Sequence, residues 1–115
     1  MESSCLFCKI IDGKIPSKKI EETDSVLVIQ DIAPKAPIHY LILPKKHIIN
    51  ISHAQPQDFP YLVETLKVAH IIGNSITTGF NLVLNNGSDV GQSVFHLHWH
   101  FLAGKNLYHE SEIKL

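Results

Sequence analysis

Apolar residues fall along the chain in short runs, most of them of strand length. Leu6, Phe7, Ile10 and Ile11 make a compact stripe at helical spacing. A short helix is expected over Cys5 to Asp12, capped by Ser3-Ser4 and stopped by Gly13. Ile15-Pro16-Ser17 breaks the chain. Lys19 to Glu22 and Ser25 to Gln30 then read as strands joined by Thr23-Asp24, the second carrying the apolar run Val26-Leu27-Val28-Ile29. Pro34 and Pro37 make the stretch after Asp31 irregular, and Ile38 to Leu43 is the next strand, ended by Pro44-Lys45-Lys46-His47. A long helix is expected from about Gln57 to Thr78, because Phe59, Leu62, Val63, Leu66, Ala69, His70 and Gly73 recur at intervals of three and four. Phe80 to Asn85 is a further strand, Asn86 to Gly91 a turn-rich loop, and His96 to Ala103 the last strand. Strands and helices in this order, with short joints, imply an α+β fold. It has an antiparallel sheet of about five strands, one long helix on one face and a short N-terminal helix, in a single domain over residues 1–115.

Composition narrows the possible functions. At 115 residues and 44% hydrophobic content the chain can bury a proper core. Ten basic and eleven acidic residues leave a formal charge of −1, which lacks the basic face that broad nucleic-acid binding needs but allows a nucleotide in a pocket. No apolar run approaches the roughly 18 residues of a membrane span. Met1-Glu2-Ser3-Ser4 has neither a basic nor an apolar leader region, so no signal peptide is expected and a cytoplasmic location follows. Cys5 and Cys8 are the only cysteines. In a leaderless chain such a Cys-x-x-Cys pair reads as a metal half-site or a redox pair. With no strand before it, the metal reading is preferred to a redox pair or to plain structural thiols.

The chemistry concentrates in Gly91-Gln92-Ser93-Val94-Phe95-His96-Leu97-His98-Trp99-His100-Phe101-Leu102. In an extended strand His96, His98 and His100 share one face, roughly 6.5–7 Å apart, while Leu97, Trp99 and Phe101 point into a core. Ahead of them, Gly87, Gly91, Gln92 and Ser93 form a loop rich in backbone N–H donors. Neutral imidazoles beside such a loop suit a transition metal, or a phosphate about to be attacked. His53, His70 and His109 stand outside this constellation and read as bystanders. Lys45 and Lys46 read as a solvated turn.

This segment resembles the signature of the histidine triad family, and the resemblance extends to Cys5-Leu6-Phe7-Cys8-Lys9-Ile10-Ile11, Asp31-Ile32-Ala33-Pro34, His39, Pro44-Lys45-Lys46-His47 and Asn85-Asn86-Gly87-Ser88. The nearest branch is the Hint type of nucleotide-binding proteins. The resemblance implies a nucleoside phosphoramidase that releases a purine nucleotide, AMP or GMP, from phosphoramidates or aminoacyl-type adenylates. It implies a homodimer formed through the long helix and a sheet edge. Neutral imidazole is a good nucleophile near pH 7, and attack on the α-phosphorus is assigned to His98, forming a nucleotidyl-histidine. His100 is expected to bind the phosphate and assist the leaving group, with His39 supporting from behind. Ser93 and the Val94 N–H are expected on the non-bridging oxygens, with Asn85 and Gln92 as further polar contacts. Asp31 is expected on the ribose, and Phe7, Ile10 and Ile32 against the base.

By resemblance to related nucleotidyltransferases, Cys5, Cys8, His47 and His96 would hold a closed structural zinc. In relatives without the cysteines the first histidine instead pairs with the counterpart of His39. Competing readings are a catalytic zinc hydrolase, a dinucleoside polyphosphate hydrolase of the Fhit branch, and a non-catalytic nucleotide-binding scaffold. Hint proteins end in a tryptophan-bearing segment. This chain ends Asn106-Leu107-Tyr108-His109-Glu110-Ser111-Glu112-Ile113-Lys114-Leu115 without one.

Overall fold

Alternation along the strands decides what each face of the sheet carries, and the computed structural model describes it over residues 4–108. The strands are β1 (Lys19–Glu22), β2 (Val26–Gln30), β3 (Ile38–Pro44), β4 (Phe80–Val83) and β5 (Trp99–Ala103), all antiparallel, in the order β1-β2-β3-β5-β4. Val26 and Val28 of β2, Ile42 of β3 and Phe101 and Ala103 of β5 line one face. The long helix α2 (Phe59–Asn74) covers it with Val68, Ala69 and Ile72. Trp99 lies on this face, its indole N–H donating to Thr65 Oγ1 at 3.1 Å. Leu27, Ile29, Leu41 and Leu43 line the other face against Phe7 and Ile10 of the short helix α1 (Leu6–Ile11). Both faces of β2 and β3 are therefore buried, as their unbroken apolar runs require.

The two outer strands differ. β1 exposes Lys19, Glu21 and Glu22, and its register shifts between Lys19 and Glu21. β4 pairs with β5 alone and carries Phe80 stacked on Phe101 at 4.5 Å. Gly73 of α2 makes room for that ring, since a Cβ there would meet Phe80 at 2.3 Å.

Four expectations need correction. The N-cap of α1 is Cys5, not Ser3-Ser4: the Cys5 Sγ accepts the Cys8 N–H at 3.3 Å, while Ser4 is exposed and Ser3 lies outside the described residues. α2 has the expected period but another phase. Its sheet-facing residues are Thr65, Val68, Ala69 and Ile72, whereas Phe59, Val63 and Leu66 are 52%, 50% and 45% exposed. The helix carries two apolar stripes, and the chain alone does not say which one meets the sheet. β4 ends at Val83 rather than Asn85, which frees Asn85 from the ladder. β5 begins at Trp99, so His96 and His98 precede the strand; the Leu97 N–H there donates to Ile48 O at 2.6 Å.

Candidate active site

On the α1 side of the sheet, β3 and β5 bring His39 and His100 together. Register pairs His39 with Leu102 and Leu41 with His100, so the two histidines are diagonal neighbours on one face. His39 Nδ1 accepts the Lys35 backbone N–H at 3.0 Å, so a neutral His39 carries its proton on Nε2. That N–H donates to His100 Nδ1 at 2.9 Å, with Asp31 Oδ2 3.3 Å from the same nitrogen. The proton of a neutral His100 is thereby placed on Nε2. Burial lowers the pKa of both rings, that of His100 to about 4.

His98 has the opposite tautomer. Its Nδ1–H donates to the His96 carbonyl at 2.8 Å, and a carbonyl can only accept, so Nε2 holds an open lone pair. The ring is 9% exposed and stands edge-on to Phe7, 4.9 Å away, and to His100, 5.2 Å away. Burial lowers its pKa too, which keeps it unprotonated at neutral pH. A nitrogen with an open lone pair and a protonated one thus sit on adjacent rings, the first fixed by the His96 carbonyl and the second, through His39, by the Lys35 N–H.

Two cavities meet at Asp31. One, about 310 Å³, is apolar and lined by Phe7, Ile10 and Leu41, with Ile32 at its rim. The other, about 450 Å³, is lined by His39, His100, Asn85 and Val90. Asp31 Oδ1 is held by the Ala33 N–H at 2.8 Å. Among the described residues no hydrogen bond engages the Asn85 side chain. Ser93 and Val94 border a third cleft of about 480 Å³ with Cys5, His47 and Phe95, rather than the cavity lined by His100.

Gln92 is a correction. It is 3% exposed and its amide is spent inside the protein: Oε1 accepts from Gly87 N at 2.9 Å and Asn50 Nδ2 at 3.2 Å. Its Nε2 donates to Ile49 O at 2.8 Å and Val94 O at 3.1 Å. Gln92 pins the loop and has nothing left for a ligand. Gly87 and Gly91, with φ of 122° and 102°, let that loop turn back on itself.

The first histidine does not make the pairing with His39 that relatives without the cysteines make. His96 is fully buried, and its Nε2–H donates to the Pro44 carbonyl at 2.7 Å, so its Nδ1 lone pair faces the cysteines. That Nδ1 lies 3.5 Å from both Cys5 Sγ and Cys8 Sγ, and His47 Nδ1 lies 3.4 Å from Cys8 Sγ. Tetrahedral zinc, with bonds of roughly 2.3 Å to sulfur and 2.0–2.1 Å to nitrogen, sets its ligands about 3.6 Å apart. Three edges of the cluster match that length, all four ligand atoms lie within 4.8 Å of one another, and burial lowers the pKa of His96 to about 4. Asp31, His39 and His100 also converge, but His39 Nε2–H is engaged by His100 Nδ1 and Asp31 Oδ2, and its Nδ1 by the Lys35 N–H, so His39 has no lone pair for a metal.

Of the other histidines, His53 bonds Asn50 Oδ1 at 2.8 Å and His70 is exposed beside Asn74. His109 and the tail over 109–115 lie outside the described residues. Sequence reasoning missed Asn50 and the backbone groups of Lys35, Pro44 and His96, because a carbonyl or N–H leaves no mark in the residue alphabet.

The family model described as scavenger mRNA decapping enzyme C-term binding matches residues 4–113. An uncharacterised HIT-like protein of Chlamydia trachomatis serovar D is 43% identical over 101 residues, covering 86% of this chain and 91% of its own. A HIT family hydrolase from Legionella pneumophila superposes with a TM-score of 0.86 at 39% identity, over 90% of this chain and 96% of its own. A histidine triad nucleotide-binding protein from Candida albicans does so with 0.79 at 36% identity, over 90% and 76%. The triad, the sheet that presents it and these matches agree, and the chain belongs to the histidine triad superfamily.

Proposed function

We propose that this chain is a nucleotide-binding hydrolase of the Hint type. It would cleave nucleoside phosphoramidates or aminoacyl-type adenylates through a covalent nucleotide on His98. The observation that carries the reading is the pair of opposed tautomers: an open Nε2 on His98 beside an Nε2–H on His100. The printed descriptions of the Legionella and Candida proteins, a hydrolase and a nucleotide-binding protein, support the class.

In this mechanism a purine base fills the apolar cavity against Phe7 and Ile10, and Asp31 accepts hydrogen bonds from the ribose hydroxyls. His98 Nε2 attacks the α-phosphorus while the bond to the leaving nitrogen breaks, and that nitrogen takes the proton from His100 Nε2. The His39 Nε2–H bond to His100 Nδ1 tightens as this happens, sharing its proton with the ring that has given one up, while the compensating positive charge appears on the nucleotide-bearing His98 ring. The phosphorylated His98 keeps its Nδ1 proton and its bond to the His96 carbonyl, so the ring is a positively charged, good leaving group. Water then gives a proton to His100, attacks phosphorus and releases the nucleoside monophosphate. Asn85, on the wall of the cavity that His100 lines, would serve the phosphate oxygens.

Zinc on Cys5, Cys8, His47 and His96 is part of the proposal. Four protein donors close its shell, so the ion would brace α1 and offer no open position for water. A reducing, cytoplasmic setting suits those two thiols. A homodimer is proposed through the exposed stripe of Phe59, Val63 and Leu66 together with the outer side of β4.

The test is direct. The protein is incubated with adenosine phosphoramidate, AMP release is followed, and intact mass is read for a nucleotidyl increment. His98→Gly should abolish both while the far-UV spectrum is kept. Unchanged turnover in that variant rejects the nucleophile.

A further inference from the structure

Helix α1 is held from two sides. Cys5 at its N-cap and Cys8 within it turn their sulfurs toward His47 and His96. Phe7 and Ile10, from the same six residues, wall the apolar cavity and pack on the sheet. Phe7 touches both chemistries, its ring 5.9 Å from that of His96 and 4.9 Å from that of His98. A helix this short has no stability of its own, since isolated helices below roughly 12 residues are marginal. Its position is set by whatever grips its faces. A ligand on either face therefore fixes the geometry that the other requires.

We propose that zinc and nucleotide bind this chain with positive cooperativity, and that Phe7 is the positioning residue that joins the two sites. Metal in the cysteine–histidine cluster sets the Phe7 ring against His98 and the base cavity. A base in that cavity holds Cys5 and Cys8 toward the histidines. The inference rests on both readings of the preceding section, the base cavity and the metal cluster. Coupling of this kind is reciprocal: nucleotide must tighten zinc by the factor with which zinc tightens nucleotide.

The experiment uses the full chain. Zinc is titrated against a chromophoric chelator with and without saturating AMP, and AMP is titrated calorimetrically into the zinc-free and zinc-loaded protein. AMP should tighten zinc at least about fivefold, the lower end of ordinary allosteric coupling. Zinc should tighten AMP by the same factor. In Phe7→Leu, which keeps an apolar side chain but removes the ring, AMP alone should bind more weakly for want of the ring against the base, and the factor between the two ligands should fall toward one; a factor equal to that of the parent overturns the role given to Phe7. Independent constants in the wild-type chain, or AMP weakening zinc, overturn the inference and leave both site readings standing. A chain that takes up no zinc but binds AMP removes the metal reading and the inference with it. A chain that binds zinc but no AMP removes the base-cavity reading and the inference likewise.

Discussion

Replacing Gln92 by Ala tests whether its side chain is a brace or a ligand contact. Four hydrogen bonds, to Gly87 N, Asn50 Nδ2, Ile49 O and Val94 O, disappear together. A net contribution near 1 kcal/mol each gives about 4 kcal/mol, and water entering the vacated space returns part of it. The expected loss is about 2–4 kcal/mol, a large share of the roughly 5–15 kcal/mol that holds a domain folded. Urea unfolding reads it as a midpoint shift of roughly 1–3 M with the slope unchanged. Gln92→Glu is the companion variant. It keeps the volume but turns an acceptor oxygen toward the two carbonyls, so it should be no better tolerated than Ala at neutral pH. A loss below about 0.5 kcal/mol for Ala, the size of an ordinary surface change, refutes the reasoning. So does a Glu variant as stable as the parent, because volume alone would then account for the site.

Further outcomes follow from other contacts. His39→Ala removes the donor that sets the His100 tautomer and should lower kcat roughly 10- to 100-fold, the usual scale for a supporting partner; an unchanged kcat would remove His39 from the relay. The His100 pKa is held near about 4 in the fold against an ordinary 6.5, so below pH 6.5 the unfolded chain takes a proton that the folded one refuses. Stability must fall with pH over that window, by about 2 kcal/mol at pH 5 from this residue, and urea titrations at pH 5 and 8 should show that share missing in His100→Gln. A pH slope identical in parent and variant contradicts it. Leu66→Glu places a charge on the exposed stripe of α2 and should halve the mass seen by light scattering and remove the concentration dependence of the melting temperature; an unaltered mass points the dimer contact elsewhere.

Much of the fold was legible because strands announce themselves locally. Val26 to Ile29 and Leu41 to Leu43 are apolar at every turn of the pleat, which only a strand covered on both sides can satisfy. The phase of α2 was not legible, since Phe59, Val63 and Leu66 are as greasy as Val68, Ala69 and Ile72. What separates them is a surface tens of residues away in sequence. The triad and the Cys5–Cys8 half-site could be located from spacing, while His47 and His96 as their companions came from the family resemblance. Which nitrogen each histidine offers could not, because the carbonyls of Pro44 and His96 and the N–H of Lys35 decide it. Gln92 misled for the same reason: beside glycines it reads as a free donor, and the carbonyls of Ile49 and Val94 that claim it arrive only through folding.

The contrast between the outer strands has a consequence for how copies can add to one another. The β1 rim is blunted by Lys19, Glu21, Glu22 and a slipped register, features that deter a newcomer strand. The β4 rim has no such guard and is short and flanked by Phe80. A ribbon with one receptive margin can be extended once, by a copy turned to face it, and that union leaves only blunt margins outside. Growth stops there by construction, and polymeric fibres are denied a second point of attachment.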